Sequence, residues 1–403
     1  MKNFCYIPFR ELYIQHNSKT PGYLNDYKSC CIQYNDNFTN NRGSPFNKSD
    51  DWFINDIGLN SLRTEFQEDK RSTECNACWK QEDAGNMSQR IHTNKKYQDS
   101  STSPFNSVLE AIDVRLSNKC NLQCKMCWAG DSDQIAKNII SATNNGAIDD
   151  VNFFKYSQAE YYSNYTNDID MGSINELYEF IMKNETIREL KFAGGEPFVM
   201  PEVENLLIKL IKANRTNLRI FFLTNCTTVK TNILEILKHF DNPSMGCSID
   251  GVDKWIEYQR FPVKWKSVKR NYHKLLKNEI ETSIVPCWTH LNLFGVIEFL
   301  EWIKEDNITC PVLWMDIEQP EYLNWQLIPM KYRTELIKQL NRFEFPTNVD
   351  KDYHTLSDRI RTEVRDITEQ ERKVLYTNAQ LWDFNNTIKY RDMFPWAKEL
   401  LNE

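Results

Sequence analysis

The chain lacks any apolar run long enough to cross a bilayer. About 18 residues are needed, and the best stretch, Leu291 to Ile303, is broken by Glu298 and Glu301. A secretory signal is also missing, because Met1-Lys2-Asn3-Phe4-Cys5 meets Arg10 and Glu11 too soon. These absences predict a cytoplasmic protein with no membrane partner. The six His are dispersed, without His-x-x-His or His-Glu-x-x-His spacing, which argues against a hydrolytic metal centre. No Gly-x4-Gly-Lys loop is present to cradle phosphates. Excess basic charge is absent too. The net charge is −7 and the pI near 5.6, which argues against nucleic acid as a partner, a local basic groove aside.

What is there suits an ordinary globular protein. The 403 residues are enough for roughly two or three domains. Hydrophobic residues make up 41% and charged residues 26%, the usual balance for a soluble fold. Cysteine is plentiful at 12. In a reducing compartment, clustered cysteines read as metal or redox ligands rather than disulfides. Cys120, Cys124 and Cys127 form one group. Cys5, Cys30, Cys31, Cys75 and Cys78 form another. Cys226, Cys247, Cys287 and Cys310 are scattered near apolar runs, where a cysteine usually acts as a small hydrophobe.

Residues 1–105 are rich in Asn, Asp, Ser, Gly and Tyr and poor in periodic apolar runs. Leu12-Tyr13-Ile14 reads as a strand and Ser61 to Phe66 as a short helix. A segment with so little core material often needs a metal as a staple. From about residue 108 strands and helices alternate. Candidate strands are Ala111–Leu116, Glu189–Ala193, Leu218–Leu223, Ser244–Ile249, Thr282–Trp288 and Val312–Met315. Between them lie helical patterns such as Glu202 to Ala213, with Val203, Leu206, Leu207, Leu210 and Ile211 on one side. This order predicts βα units, a parallel sheet and an open or closed barrel. An Asn-, Ser- and Tyr-rich stretch at about 131–170 interrupts it, too long for a plain βα loop. It reads as an insertion, either a lid or a partly ordered excursion. After about residue 326 the chain is polar and helical, with helices expected at Tyr332–Phe343 and Leu356–Arg372.

The first candidate strand runs into Cys120-x3-Cys124-x2-Cys127. Active sites of βα folds form at the carboxyl ends of strands. Three thiolates are one short of a closed tetrahedral zinc site. They suit a cubane iron–sulfur cluster with one open iron, or a zinc site completed by a distant His or Cys. The second strand ends in Gly194-Gly195-Glu196-Pro197. Two glycines permit close backbone approach to a ligand, and Glu196 offers an acceptor for an ammonium group. Such a sequence is also an ordinary turn. Later strands end in Thr224-Asn225 and in Ser248-Ile249-Asp250-Gly251, with Arg260 following. Polar groups on one rim read as ligand recognition, or individually as helix N-caps.

The cysteine spacing, with apolar Met126 before the last Cys, resembles the signature of the radical S-adenosylmethionine (SAM) superfamily. The Gly194–Pro197 turn resembles its methionine-binding motif, and Ser248 to Gly251 with Arg260 its fourth-strand pattern. The resemblance covers about residues 110–315. It implies an α/β fold, a partial (β/α)6 TIM-type barrel at 106–325. It also implies a 4Fe–4S cluster on Cys120, Cys124 and Cys127 that reductively cleaves SAM to a 5′-deoxyadenosyl radical, which abstracts a substrate hydrogen. Met126, Gly194, Gly195, Glu196, Thr224, Asn225, Ser248, Asp250 and Arg260 would then contact SAM. A reductant such as flavodoxin or ferredoxin is implied as well. Many members carry Gly after the Thr-Asn pair, where this chain has Cys226.

Cys75-x2-Cys78, with Cys5 and the Cys30-Cys31 pair upstream, suits a closed four-thiolate site for zinc or an iron–sulfur cluster. The arrangement resembles the twitch or SPASM auxiliary-cluster domains of radical SAM enzymes, although here it precedes the barrel. The resemblance implies a Cys-rich domain at 1–105 with an auxiliary 4Fe–4S cluster, zinc being the alternative. It leaves a helical extension at 326–403. The substrate it suggests is a peptide or protein. A small-molecule metabolite and a non-catalytic zinc-binding interaction protein are the other readings.

Overall fold

Alternation of half-buried and buried residues makes Glu11–Gln15 a strand, β1, with Leu12 and Ile14 inward. A computed structural model describes residues 2–15, 26–30, 44–83, 85, 87–99, 103–148, 171–317 and 319–403. Cys31 and most of the expected insertion lie outside them. The further strands are β2 (Asp26–Lys28), β3 (Ala111–Arg115), β4 (Glu189–Ala193), β5 (Arg219–Thr224), β6 (Asp241–Cys247), β7 (Glu281–Ile284), β8 (Cys287–Trp288) and β9 (Met315–Asp316). A seven-stranded sheet runs in the order β2-β1-β3-β4-β5-β6-β7. The fold is mixed α/β with a mainly parallel sheet, as the alternating pattern predicts.

The chain divides into two compact units. One comprises Met1–Ser117, Thr166–Phe222 and Glu235–Pro243. The other comprises Asn118–Tyr165, Leu223–Leu234 and Ser244–Glu403. In the first, β1, β3, β4 and β5 are parallel neighbours and β2 is antiparallel to β1. The register aligns Leu12, Ile112, Leu190 and Ile220 in one row and Ile14, Val114, Phe192 and Phe222 in the next. All eight are at most 1% exposed, so two continuous apolar rows cross four strands. The Phe192 and Phe222 rings stack at 5.2 Å. The intervening row carries charge, with Lys191 3.0 Å from Asp113. Helix Pro201–Lys212 buries Val203, Leu206, Leu207 and Leu210, the stripe expected from its spacing.

The second unit contains the parallel pair β6–β7 and the separate parallel pair β8–β9. The expected strand Thr282–Trp288 is split between β7 and β8. Pro286 interrupts it, because proline donates no ladder hydrogen bond. The expected sixth strand reduces to isolated bridges at Val312 and to β9. Helix Asp133–Asn144 occupies part of the expected insertion. Ser132 caps it, and Ile135, Ala136, Ile139 and Ala142 form its buried side. The expected helix Leu356–Arg372 ends at Thr362. Arg333 takes the carbonyls of Ile360 and Glu363 there, both at 2.8 Å. A capping box of Thr368 and Glu371 then starts Glu369–Asn385.

Candidate functional site

The cysteine loop follows β3 and is shaped by its own polar residues. Asn118 Nδ2 donates to the Ala129 carbonyl (3.1 Å), and Ser132 Oγ to that of Leu122 (2.6 Å). The Cys120 amide donates to Asp133 Oδ1 at 3.0 Å. Two further amides pair the loop with the segment after helix Asp253–Gln259. Gln123 N donates to Phe261 O (2.6 Å) and Lys125 N to Gln259 O (2.8 Å). This antiparallel register sets Cys124 opposite Arg260. Arg260 Nη1 then lies 3.9 Å from Cys124 Sγ.

The thiols are close enough to influence one another. Burial pushes Cys127 well above the ordinary thiol range, and Asp131, Cys124 and Cys120 push it further. Burial also raises Cys124, while Arg260 pulls it down. The thiolate forms of such neighbours would repel one another, so the donor set suits a cationic metal centre, which takes thiolates and offsets their charge. Among the described residues, no three or more His, Cys, Asp and Glu side chains already stand in a metal-holding arrangement. The loop gathers the thiols without pre-setting them.

Asp250 is the hub behind the loop and is fully buried. Its Oδ2 accepts from Arg260 Nε (2.5 Å) and Gln259 Nε2 (2.8 Å). Its Oδ1 accepts from Arg260 Nη2 and from the Cys287 amide, both at 2.9 Å. Four donors fill the acceptor capacity of a carboxylate. Burial would lower the Arg260 pKa, but Asp250 outweighs it and holds the guanidinium charged. Thr289 Oγ1 fixes Gln259 Oε1 at 2.6 Å, and Asn292 Nδ2 takes the Asp250 carbonyl at 2.8 Å.

Thr224 and Asn225 shape their own turn. Thr224 Oγ1 accepts from Cys226 N (3.1 Å), and Asn225 Oδ1 from Thr227 N (2.9 Å). Asn225 Nδ2 donates to Asn121 Oδ1 on the cysteine loop at 3.0 Å. Cys226 has φ +56°, a left-handed conformation natural to glycine and costly for other residues. The Gly of many family members therefore matches the backbone demand at this position. Ser248 and Met126 are half-buried.

In the other unit, Gly194 and Gly195 have φ +73° and +50°. A Cβ at Gly194 would stand 3.0 Å from Arg115 Cδ, so this turn needs glycine. Glu196 is 1% exposed and its Oε1 accepts from Phe198 N at 3.2 Å. Cys5 packs with Leu62, Phe66 and Trp79, and Cys30 and Cys75 lie against the same cluster. Burial pushes Cys5 well up, and Cys75 and Cys78 add to it. Burial, then Cys78, raises Cys75 to about 12. Helix Asn76–Asp83, which carries Cys78, and helix Gln89–Tyr97 escape the sequence reading because both are short and polar.

Two features of the cysteine loop also escape it. Lys125 is 4% exposed, and burial lowers its pKa to about 7. It lies over the rings of Phe261, Tyr258 and Trp382, at 5.4, 5.5 and 5.8 Å. Helix Glu369–Asn385 supplies Trp382. Its Leu381 and Phe384 join Ala129, Ile135, Ile139 and Cys127 in one apolar cluster. This helix thus walls the loop. A lysine between two cysteines gives no signal for burial in the sequence.

Residues 114–303 match the model of the Radical SAM superfamily. No curated protein matches the chain. Among solved structures, native anSMEcpe with bound AdoMet and Cp18Cys peptide is 18% identical, covers 57% of each chain and has a TM-score of 0.35. SuiB of Streptococcus suis bound to S-adenosylmethionine is 15% identical, with 74% of this chain and 61% of that one covered and a TM-score of 0.34. TsrM of Kitasatospora setae, a radical S-adenosylmethionine methyltransferase with cobalamin and a [4Fe-4S] cluster bound, is 9% identical, covering 45% of this chain and 36% of that one with a TM-score of 0.32. The chain thus spans little more than half of the anSMEcpe chain. Among the described residues, no helix is long and apolar enough to cross a membrane. The matched region covers a little under half of the chain and resembles a radical SAM domain.

Proposed function

We propose that the chain reductively cleaves S-adenosylmethionine at a 4Fe–4S cluster held by Cys120, Cys124 and Cys127, and modifies a peptide or protein. The carrying observation is three cysteines on one loop after β3, its backbone fixed by Asn118, Ser132 and Asp133, inside the region that matches the family. When bound, the cluster supplies the electron that splits the sulfonium, and the 5′-deoxyadenosyl radical so released takes a hydrogen atom from the substrate. The chain's own residues hold the loop, exclude water and orient the ligands. Asn118, Ser132 and Asp133 fix the loop's backbone, and helix Glu369–Asn385 covers the Cys127 side.

On the family resemblance, Gly194, Gly195 and Glu196 take SAM's amino end. Met126, Thr224, Asn225, Ser248, Asp250 and Arg260 belong to the remainder of its site. Cys5, Cys75 and Cys78, with Cys30 or Cys31 as fourth thiol, hold a second cluster, zinc being the alternative. The packing of Cys30 and Cys75 beside Cys5 supports that set. The peptide substrate follows from the resemblance of this group to auxiliary-cluster domains. A flavodoxin or ferredoxin would supply electrons, in the cytoplasm.

The test is anaerobic reconstitution with iron and sulfide, then dithionite and SAM. The expected product is 5′-deoxyadenosine, lost in Cys120→Ala. Fully loaded protein that yields none overturns the reading. Stoichiometric zinc in place of iron would assign both cysteine groups to structure.

A further inference from the structure

Arg260 has a second role to explain besides the family's fourth-strand pattern. Its guanidinium is clamped rather than open. Nε and Nη2 form a fork on Asp250 at 2.5 and 2.9 Å, the bidentate geometry that fixes an Arg plane. The fork leaves Nη1 pointing to Cys124 Sγ, 3.9 Å away. The backbone enforces the same pairing independently. The amides on either side of Cys124 donate to the carbonyls on either side of Arg260. Asp250 is itself locked by Gln259 and by the Cys287 amide. All four of its acceptor positions are filled, so a ligand hydroxyl would have to displace a donor. The whole assembly presents one fixed cation to one sulfur.

We propose that Arg260 is a positioning residue for Cys124. It holds a charged hydrogen-bond donor against that sulfur and thereby raises the reduction potential of the cluster the loop binds. This rests on the cluster reading above. The physical reason is that donors to a ligating sulfur stabilise the more negative, reduced state. Asp250 sets the direction of the guanidinium, and the Gln123–Phe261 and Lys125–Gln259 bonds set its distance.

The test uses the full-length reconstituted protein with Cys75→Ala and Cys78→Ala, so that only the loop cluster is read. Midpoint potential is followed by EPR-monitored redox titration without SAM, and SAM affinity is measured separately. Arg260→Gln should move the potential to more negative values. Arg260→Lys, which keeps charge but not the fork, should fall between it and the parent. Unchanged potential in Arg260→Gln overturns the proposal, whatever happens to SAM affinity. Loss of the cluster from Arg260→Gln alone makes Arg260 a residue that retains the cluster rather than one that tunes it, and overturns the proposal. Loss from both variants assigns Arg260 to folding and overturns it. The titration needs no SAM turnover, so a loaded protein that fails to cleave SAM sinks the functional reading and leaves this result standing.

Discussion

The two cysteine groups solve one problem in different ways. Both gather buried or half-buried thiols whose thiolate forms would oppose one another, and both place a carboxylate-held arginine nearby. Arg260 is forked on Asp250, and Arg90 is paired with Glu82. Around the loop group the arginine donates to a sulfur. Around Cys5, Cys75 and Cys78 the Arg90 charge pulls against the rise that burial causes, and its backbone amide, not its guanidinium, bonds to Cys78. Arg90 Nη1 donates to the carbonyls of Lys2 and Phe4 at 3.2 and 2.7 Å, and its guanidinium lies 4.7 Å from the Trp79 ring. The Arg260 guanidinium therefore addresses a thiol of its own group, whereas that of Arg90 ties Lys2 and Phe4 to the helix that carries Cys78. A short motif brings its own thiols together and can tune one of them. A dispersed group first needs an arginine to assemble it.

Breaking thiols separates the two groups most sharply. Cys124→Ala should abolish 5′-deoxyadenosine formation and remove about four of about eight irons per chain. Cys78→Ala should remove the other set yet leave SAM cleavage in place. Iron and sulfide analysis beside product chromatography checks both. Equal loss of cleavage in the two variants would erase the division of labour.

The next contrast is in the arginines. Glu82→Gln leaves Arg90 partly unpaired at a site where both side chains are nearly buried. Removing one partner of such a pair costs about 3–5 kcal/mol. Chemical denaturation should show a loss in that range, with the loop cluster's spectrum unchanged. An equal loss on replacing an exposed pair, Lys238 with Glu235, would mean that burial at Glu82 contributes nothing.

The loop group was legible in the sequence because its spacing is local, and so were the strands around it. Ala111–Arg115 and Glu189–Ala193 were marked by short β-rich runs between turn signals. The sixth strand was not. Val312 has β character, but it makes only isolated bridges, and ladder pairing resumes only at β9. Arg260 was visible as a residue and not as a partner of Cys124, because that contact depends on a register between segments more than 130 residues apart. Asp250 looked like a free rim carboxylate until its four donors were counted. Helix Asp133–Asn144 was hidden by polar composition, although Ser132 marked its start. The walling of Cys127 by Leu381 and Phe384 left no local trace, since those residues lie far along the chain.

Acid should disturb the loop group's unit through His290. It is fully buried, and burial lowers its pKa to about 3. Its Nε2 meets Tyr390 Oη at 3.0 Å. Between about 3 and the ordinary value near 6.5 the unfolded chain binds the extra proton and the folded chain does not. Stability therefore rises with pH through that window and falls as pH drops from 6.5 toward 3. The full effect is on the order of a few kcal/mol. Denaturation midpoints for the parent and for His290→Gln should converge as pH falls, because only the parent carries this dependence. Parallel curves would remove His290 from the account.

The smallest expected effect tests whether the loop group depends on its distant wall. Helix Glu369–Asn385 carries Leu381, Trp382 and Phe384, and it starts at a capping box in which Thr368 Oγ1 accepts from Glu371 N at 3.2 Å. Thr368→Ala removes that acceptor and should cost about 1 kcal/mol. The cap is about four helical turns from the residues that touch the loop, so the change does not act on the cluster directly. If the wall works as a unit, loosening its first turn should speed loss of the loop cluster to a chelator while Cys5, Cys75 and Cys78 keep theirs. Equal release from both groups would mean that the helix stabilises the protein in general and shields neither group in particular.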